Sequence, residues 1–318
     1  MTDADRTRPP DGAGRRYPPR VVIRDVGPRD GLQPEAPVAV DDRVRLVDAL
    51  VAAGVSRIEV AAFVSPEAVP AMAGAAEVVA AVGRPPGVRI AALVPNVRGA
   101  QAALAAGVHE LTVTLSASEG YNQRNVHMST AQSEAQIAEI VALARQATAP
   151  DGGPVGVDAV VSCAFGSPYE GDIAPAEVAA LVGRLRSAGV TTVTGADTTG
   201  MATPRRIDDL LDALDRDERA DLGLHLHDTR GLALVNVYAA LERGVTRFDT
   251  SVGGLGGSPF AEGAGGNLAT EELVAMLDDL GVETGIDLAA LIQAAHLVET
   301  LVGRPVPSPI ARHGPPRP

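Results

Sequence analysis

Short apolar runs alternate with amphipathic helical stretches along almost the whole chain, and this alternation limits the fold more than any other feature. About eight runs have strand character, and each is followed by a stretch with helical spacing. Three joints from helix to strand repeat the letters AGV, at 53–55, 106–108 and 188–190. Strands that alternate with helices in one block predict an α/β fold, a (β/α)₈ TIM barrel. The strand-like runs cover 21–26, 57–63, 88–94, 110–116, 155–164, 191–197, 222–227 and 246–252.

The predicted barrel domain spans 20–302 and includes an extra helical segment at its C-terminal end. Residues 1–19 are rich in Pro, Arg and Asp and are expected to form a disordered arm, and 303–318 a flexible tail. A doubly wound open sheet is the alternative, but such sheets usually carry an early GxGxxG turn. The first strand here is followed by GPRDGLQ, which favours the barrel.

All basic residues are arginine, and this excludes several enzyme mechanisms. Lys and Arg together number 27, and the sequence contains no Lys. Schiff-base aldolases, pyridoxal phosphate enzymes and phosphate-loop proteins all need a lysine. The single cysteine, Cys163, excludes an intrachain disulfide and a cysteine-based zinc site. If this chain makes or breaks carbon–carbon bonds, a metal ion is therefore the expected electron sink.

Net charge and the N-terminal sequence bear on partners and location. A formal charge of −13 disfavours nucleic acid and anionic membranes as partners. No apolar run approaches the roughly 20 residues that span a membrane, and the N-terminus lacks the apolar core of a secretory signal. We therefore predict a cytoplasmic protein that binds neither nucleic acid nor membrane.

Two histidines end the seventh strand-like run, in the sequence LGLHLHDTRG. His225 and His227 are two residues apart, so both imidazoles project from the same face of a strand. The strand turns directly into a helix after Asp228. Paired imidazoles at the end of a strand indicate a metal site.

Polar residues also occur at the carboxyl ends of other strands, where barrels of this type carry their active sites. Arg29 and Asp30 follow the first strand, Glu59 lies in the second, and Asp197 ends the sixth. A glycine-rich loop, 253–267, follows the eighth strand. We expect these groups to converge with the two histidines on one rim of the barrel.

Each of these groups also has a purely structural interpretation. An HxH pair on a strand is often half exposed and binds no metal. Arg29 could form a surface salt bridge with Asp30 or pair with Glu59, and Asp197 could hold a loop through Asx-type hydrogen bonds. Cys163 fits a small buried hydrophobe better than a nucleophile. The convergence of so many polar groups on one rim favours the functional interpretation.

Six stretches of the chain resemble the 3-hydroxy-3-methylglutaryl-CoA lyases, within the larger group of metal-dependent (β/α)₈ acyl lyases and Claisen synthases. The resemblance covers roughly 20–301 and rests on long, specific motifs. The matching stretches are VGPRDGLQPE (26–35), IEVAAFVSPEAVPAMA (58–73), SCAFGSPYEG (162–171), ADTTGMATP (196–204), HLHDTRGLALVN (225–236) and SVGGLGGSPFAEGAGGNLATEELVAML (251–277).

The resemblance implies a set of metal ligands and an electrostatic catalyst. Asp30, His225, His227 and Asn267 would bind a divalent cation, Mg²⁺ or Mn²⁺. Mixed oxygen and imidazole ligands suit such a cation with open positions for substrate. Arg29 would contact the carbonyl oxygen of the substrate and stabilise the enolate that develops there.

The resemblance also assigns proton-handling roles, and here the chain departs from the family. Glu59 and Asp197 would handle protons or orient the site, and the loop 253–267 would close over bound acyl-CoA. The family carries a catalytic cysteine in this loop, in a sequence like GLGGCPFA, whereas this chain has Ser258. A serine hydroxyl is a much weaker acid than a thiol, and Cys163 matches a strand position instead of the loop.

The implied reaction is cleavage of a 3-hydroxyacyl-CoA such as 3-hydroxy-3-methylglutaryl-CoA, by retro-aldol chemistry, to acetyl-CoA and a 3-oxo acid such as acetoacetate. This is a step of leucine degradation, and a homodimer or other homo-oligomer is expected. Three alternatives remain: a lyase for another branched hydroxyacyl-CoA of the citramalyl-CoA type, a Claisen-condensing synthase, and an impaired paralogue that only binds acyl-CoA.

Overall fold

Eight parallel strands form a closed barrel in this computed structural model, which describes residues 16–257 and 265–315. The strands pair in chain order, and the first strand pairs with the eighth to close the barrel. The predicted (β/α)₈ barrel is confirmed. The strands are β1 (Val22–Asp25), β2 (Arg57–Ala62), β3 (Arg89–Leu93), β4 (Glu110–Ser116), β5 (Gly156–Ser162), β6 (Thr192–Asp197), β7 (Leu222–Leu226) and β8 (Arg247–Thr250).

Helices follow the strands along the chain, and three α-helices of the described residues come after the last strand. Short turns of other helical types occur at Gly27–Gly31 (π) and at Pro70–Met72 and Val252–Gly254 (3₁₀). The α-helices are α1 (Val40–Ala52), α2 (Ala75–Val82), α3 (Val97–Ala106), α4 (Glu119–Val126), α5 (Thr130–Ala144), α6 (Pro175–Ala188), α7 (Pro204–Ala213), α8 (Arg216–Ala220), α9 (Ala233–Glu242), α10 (Thr270–Asp279), α11 (Leu288–Val302) and α12 (Pro309–His313).

Several of the helices form where the sequence carries an apolar stripe and a stop signal. In α1, Leu46, Val47 and Leu50 are fully buried and pack the helix onto the barrel. Two of the AGV joints end helices in the left-handed conformation, with φ of 85° at Gly107 and 95° at Gly189. Glycine adopts this conformation without strain, so the chain turns there and enters the next strand.

Two segments after the second and fourth strands differ from the sequence-based prediction. The Ala- and Val-rich sequence of 67–82 predicts one helix, but the structure has a 3₁₀ turn, a break at Ala73–Gly74, and then α2. Pro70 fits the first position of the short turn, and Gly74 has φ 75°, which interrupts helical geometry. The polar sequence after β4 predicts a loop, but the structure has α4 there, capped by Ser118.

The segment 303–318 is predicted to be a flexible tail, and the structure describes it as far as residue 315. Val306 and Ala311 are buried, and His296 Nε2 donates a 2.9 Å hydrogen bond to the Ala311 carbonyl. Most of the arm predicted at 1–19 lies outside the described residues. Across 16–257 and 265–315, every helix is too short or too polar to cross a membrane.

Candidate metal centre

The two histidines at the end of β7 face each other. His225 and His227 are only 8% and 6% exposed, and their Nε2 atoms lie 3.2 Å apart. Each Nδ1 atom faces an oxygen. Nδ1 of His225 lies 3.4 Å from Asp249 Oδ2, and Nδ1 of His227 lies 3.1 Å from the Gly265 carbonyl oxygen. With a hydrogen on each Nδ1, two Nε2 lone pairs point at one another, an arrangement that a cation stabilises.

The π-helical turn Gly27–Gly31 follows β1 and carries Asp30 to the same place. Asp30 Oδ2 lies 3.9 Å from His225 Nε2 and accepts a 2.7 Å hydrogen bond from Asn267 Nδ2. A backbone bridge holds Asn267 beside His227. Ligand atoms of Asp30 and the two histidines all lie within 4.8 Å of one another. The structure thus brings together the four residues predicted to bind a metal.

The charges of this cluster suit a cation. Burial alone would raise the pKa of Asp30. The positive charges of Arg29 and the two histidines have the larger effect and lower the pKa of Asp30 to about 2. Burial, together with His225, lowers the pKa of His227 to about 4. Burial also disfavours charged His225, but Asp249 and Asp30 outweigh it and raise its pKa. Near pH 7, Asp30 is therefore an anion and His227 a neutral base, the states that bind metals.

The donor atoms fit a divalent cation. Asn267 Oδ1 is buried and accepts no hydrogen bond from any described residue. A buried oxygen without a donor is unfavourable unless a ligand satisfies it. One carboxylate, one amide and two imidazoles form a mixed set typical of Mg²⁺ or Mn²⁺ sites. We refer to Asp30, His225, His227 and Asn267 as the metal cluster.

Arg29 is fixed beside the metal cluster by two carboxylates. Its Nε donates to Glu59, and its Nη1 donates to Asp30 Oδ1 at 2.7 Å. Glu59 is fully buried at a β-bulge, where the pairing of β2 with β3 shifts between Glu59 and Ala61. No described residue accepts a hydrogen bond from Nη2 of Arg29, and Arg29 lines a cavity. This edge of the guanidinium can therefore donate to a ligand.

Asp197 ends β6 but does not lie on the wall of that cavity. Its Oδ1 accepts a 2.9 Å hydrogen bond from the backbone of Ala202, and burial raises its pKa to about 6. Its neighbours Ala196 and Thr198 line the cavity instead, because alternate residues of a strand face opposite sides. The proton-handling role of Asp197 stays a prediction.

The loop after β8 is described only at its two ends. Ser258, predicted from the resemblance to occupy the position of a catalytic cysteine, lies outside the described residues. Two buried carboxylates fix the first end: Val252 N donates to Asp25 at 3.0 Å, and Gly253 N donates to both oxygens of Glu271 at 3.1 Å. The loop therefore starts from a fixed point close to the turn that carries the metal cluster aspartate.

A cavity of about 780 Å³ is lined by Arg29 and by three residues of the metal cluster. This volume lies within the range of about 300–1,000 Å³ that is usual for small-molecule sites. The loop after β2 and the unpredicted helix α4 supply much of the remaining wall, which is largely apolar. Wall residues from these two segments include Val64, Val69, Pro70, Tyr121, Val126 and His127.

Two charged residues of the cavity were missed by sequence reasoning. Arg24 in β1 and Asp249 in β8 are buried and line the cavity. Arg24 donates to both oxygens of Asp249, at 2.8 and 2.7 Å. The available signal was a charged residue inside a predicted strand, because strands of a parallel barrel are buried on both faces and a charge there needs a buried partner.

Together these features define a class of protein: a closed (β/α)₈ barrel with a candidate divalent-metal centre at the carboxyl ends of its strands. A family model described as HMGL-like matches residues 20–298. The chain belongs to the HMGL-like family.

Relatives of known activity are similar over nearly their whole length. The chain is 43% identical over 289 residues to a 3-hydroxy-3-isohexenylglutaryl-CoA/hydroxymethylglutaryl-CoA lyase of Pseudomonas aeruginosa, covering 90% of this chain and 94% of the relative. It is 40% identical over 294 residues to a hydroxymethylglutaryl-CoA lyase of Bacillus subtilis, covering 92% and 96%. The structure of an HMG-CoA lyase from Acinetobacter baumannii, solved with coenzyme A and 3-methylmalate, is similar with a TM-score of 0.85 and 41% identity, covering 94% of this chain and 98% of that one.

Proposed function

We propose that this protein is a divalent-metal-dependent carbon–carbon lyase that cleaves 3-hydroxy-3-methylglutaryl-CoA to acetyl-CoA and acetoacetate. The observation that carries the proposal is the pair of Nε2 atoms of His225 and His227, 3.2 Å apart, beside the anion Asp30. The names of the Pseudomonas aeruginosa and Bacillus subtilis relatives support the choice of reaction. The coenzyme A complex of the Acinetobacter baumannii relative supports an acyl-CoA substrate.

The metal cluster and Arg29 supply the electrostatic part of catalysis in this proposal. The four residues of the metal cluster hold Mg²⁺ or Mn²⁺. The bound cation supplies Lewis acidity to oxygens of the substrate. Arg29 uses its unpaired Nη2 to donate to the thioester oxygen, where negative charge develops as the carbon–carbon bond breaks. Glu59 keeps the guanidinium in this orientation.

The reaction needs one proton removed and one returned. When the 3-hydroxyl loses its proton, the C2–C3 bond breaks, C3 becomes a ketone, and the bonding electrons form the enolate of acetyl-CoA. Asp197, with a pKa of about 6, is the candidate base and acts through water because it lies off the cavity wall. Ser258, or a water that it holds, returns a proton to C2.

The apolar wall of the cavity suits the acyl chain and the neighbouring part of the pantetheine arm. The name of the Pseudomonas aeruginosa relative includes a substrate with a longer 3-substituent, so such a thioester belongs in any substrate panel. The cytoplasmic location and the homo-oligomeric state inferred from the sequence stay predictions, the second of which light scattering can measure.

The test is to incubate the purified protein with Mg²⁺ or Mn²⁺ and 3-hydroxy-3-methylglutaryl-CoA and to measure acetyl-CoA and acetoacetate. We expect both products in equal amounts with metal, and neither after chelation or in His225→Ala. Citramalyl-CoA and a 3-isohexenyl thioester are run in parallel. Cleavage of one of these alone would replace the proposed substrate, and cleavage of none would refute the lyase assignment.

A further inference from the structure

A buried ion-pair network lies beneath the metal cluster and centres on Arg24. Arg24 is 5% exposed, and its guanidinium donates from Nε and Nη2 to the two oxygens of Asp249, at 2.8 and 2.7 Å. The same group donates to Asp158 at 2.6 Å and to Glu110 at 3.0 Å. The planar, bidentate guanidinium therefore fixes the orientation of the Asp249 carboxylate.

Asp249 also contacts a metal-cluster residue. Its Oδ2 lies 3.4 Å from Nδ1 of His225, while Nε2 of the same ring faces His227. The pairing of the strands sets up this contact, because Asp249 is the register partner of Arg24 on one side and of His225 on the other. A carboxylate that accepts the far N–H of a metal-binding histidine fixes both the tautomer and the orientation of the ring.

We propose that Asp249, held in place by Arg24, is a positioning residue that keeps the hydrogen of His225 on Nδ1 and so presents the Nε2 lone pair to the cation. This inference rests on the metal site of the proposed function and adds two residues to it. Asp249 touches neither the substrate nor the cation in this role. It acts only through His225.

Arg24 gives the proposal its sharpest consequence, because a guanidinium only donates hydrogen bonds. In Asp249→Asn, an NH₂ group replaces one of two oxygens that both accept from Arg24, and Oδ2 also faces Nδ1 of His225. Either orientation of the amide sets its NH₂ group against a donor of Arg24, so the side chain loses its fixed position beside His225. The hydrogen of His225 is then no longer held on Nδ1, and the Nε2 lone pair is presented to the cation less often.

Asp158 provides a matched control. It accepts a hydrogen bond from the same guanidinium, is fully buried, and its other side-chain hydrogen bonds are to Thr192 and Thr194. Asp158→Asn removes the same charge from the same network without touching a histidine. Any loss of Mn²⁺ affinity that comes from the missing charge or from weakened packing will therefore appear in both variants. Thermal unfolding measures how far each substitution destabilises the fold.

The experiment is a Mn²⁺ titration of the full chain, followed by electron paramagnetic resonance of the free ion. We expect Asp249→Asn to raise the Kd for Mn²⁺ by about 10–100-fold, and Asp158→Asn to change it by no more than about threefold. Equal losses in the two variants, or no loss in Asp249→Asn, would overturn the positioning role while leaving the metal site intact. If the unmodified protein binds no Mn²⁺, the metal assignment itself fails and this inference fails with it.

A second measurement needs neither aspartate variant and no metal. Nitrogen-15 NMR of the histidine side chains reports which ring nitrogen carries the hydrogen, and His225 is assigned by its loss in His225→Gln. We expect the hydrogen of His225 on Nδ1 in the metal-free protein. A hydrogen on Nε2 alone would overturn the proposal even if both aspartate variants failed to fold.

Discussion

Replacing Arg29 by methionine leaves Glu59 as a buried carboxylate without a hydrogen-bond donor. Glu59 is 0% exposed, its Oε2 accepts from Arg29 Nε, and its Oε1 accepts from no described residue. Methionine fills much of the volume of arginine but donates nothing. Asp30 keeps a partner in Arg29→Met, because Asn267 still donates to its Oδ2.

The unpaired carboxylate of Glu59 sets the expected loss of folding free energy in Arg29→Met. Removing one partner of a buried ion pair destabilises a protein by about 3–5 kcal/mol, since the remaining charge is left unpaired. That is a large part of a typical folding free energy of about 5–15 kcal/mol. Adding Glu59→Gln removes the unpaired charge, so the double variant is expected to recover more than half of the loss. Catalysis should not recover, because removal of an electrostatic donor costs about 10²–10³ in kcat.

Urea unfolding and steady-state cleavage of 3-hydroxy-3-methylglutaryl-CoA, measured on both variants, separate the two effects. The reasoning predicts that stability returns in the double variant while kcat stays low. If Arg29→Met is as stable as the unmodified protein, the ion pair does not compensate Glu59 as argued. If kcat returns together with stability, Arg29 serves the fold and not the reaction.

Three further predictions concern the metal, the loop and pH. Chelation should abolish cleavage, and re-addition of Mg²⁺ or Mn²⁺ should restore it. In His227→Ala, Mn²⁺ should bind so weakly that re-addition restores no cleavage. Full activity in that variant would exclude His227 as a ligand. Ser258→Cys should raise kcat on 3-hydroxy-3-methylglutaryl-CoA by about 10-fold or more, because a thiol is a better proton donor; an unchanged rate would show that this position does not transfer a proton. Burial raises the pKa of Glu271 from 4.5 to about 7, so the folded state binds the extra proton and stability falls as pH rises between these values, by at most about 1.4 kcal/mol per unit. Glu271→Gln should flatten that slope in urea unfolding at pH 4.5–7, and an unchanged slope would contradict the assignment.

The fold and the histidine pair could be predicted from sequence because both depend on local periodicity. Alternating strands and helices with glycine joints predicted the barrel, and the period of two residues put His225 and His227 on one face. The same rule, applied to β6, separates Asp197 from Ala196, which lines the cavity. The prediction placed Asp197 by its position at the end of a strand and did not ask which face it takes.

The parts that could not be predicted depend on contacts between distant segments. Helix α4 was missed because its sequence, EGYNQRNV, is polar and lacks an apolar stripe, so its stability comes from its cap and from packing. Arg24 and Asp249 are 225 positions apart, and no local pattern shows that they meet. Only the closure of the barrel, which pairs β1 with β8, makes them neighbours.

This closure is also what assembles the metal cluster. Asp30 follows β1, His225 and His227 end β7, and Asn267 follows β8, so the ligands come together only when the first strand joins the last. A shift of one residue in the β1–β8 register would turn Asp249 away from the interior and separate it from Arg24. An ion that binds only the closed barrel stabilises it by mass action, by about 2.7 kcal/mol at a concentration 100 times its Kd. The affinity of this protein for the metal ion therefore also reports whether the barrel has closed in its native register.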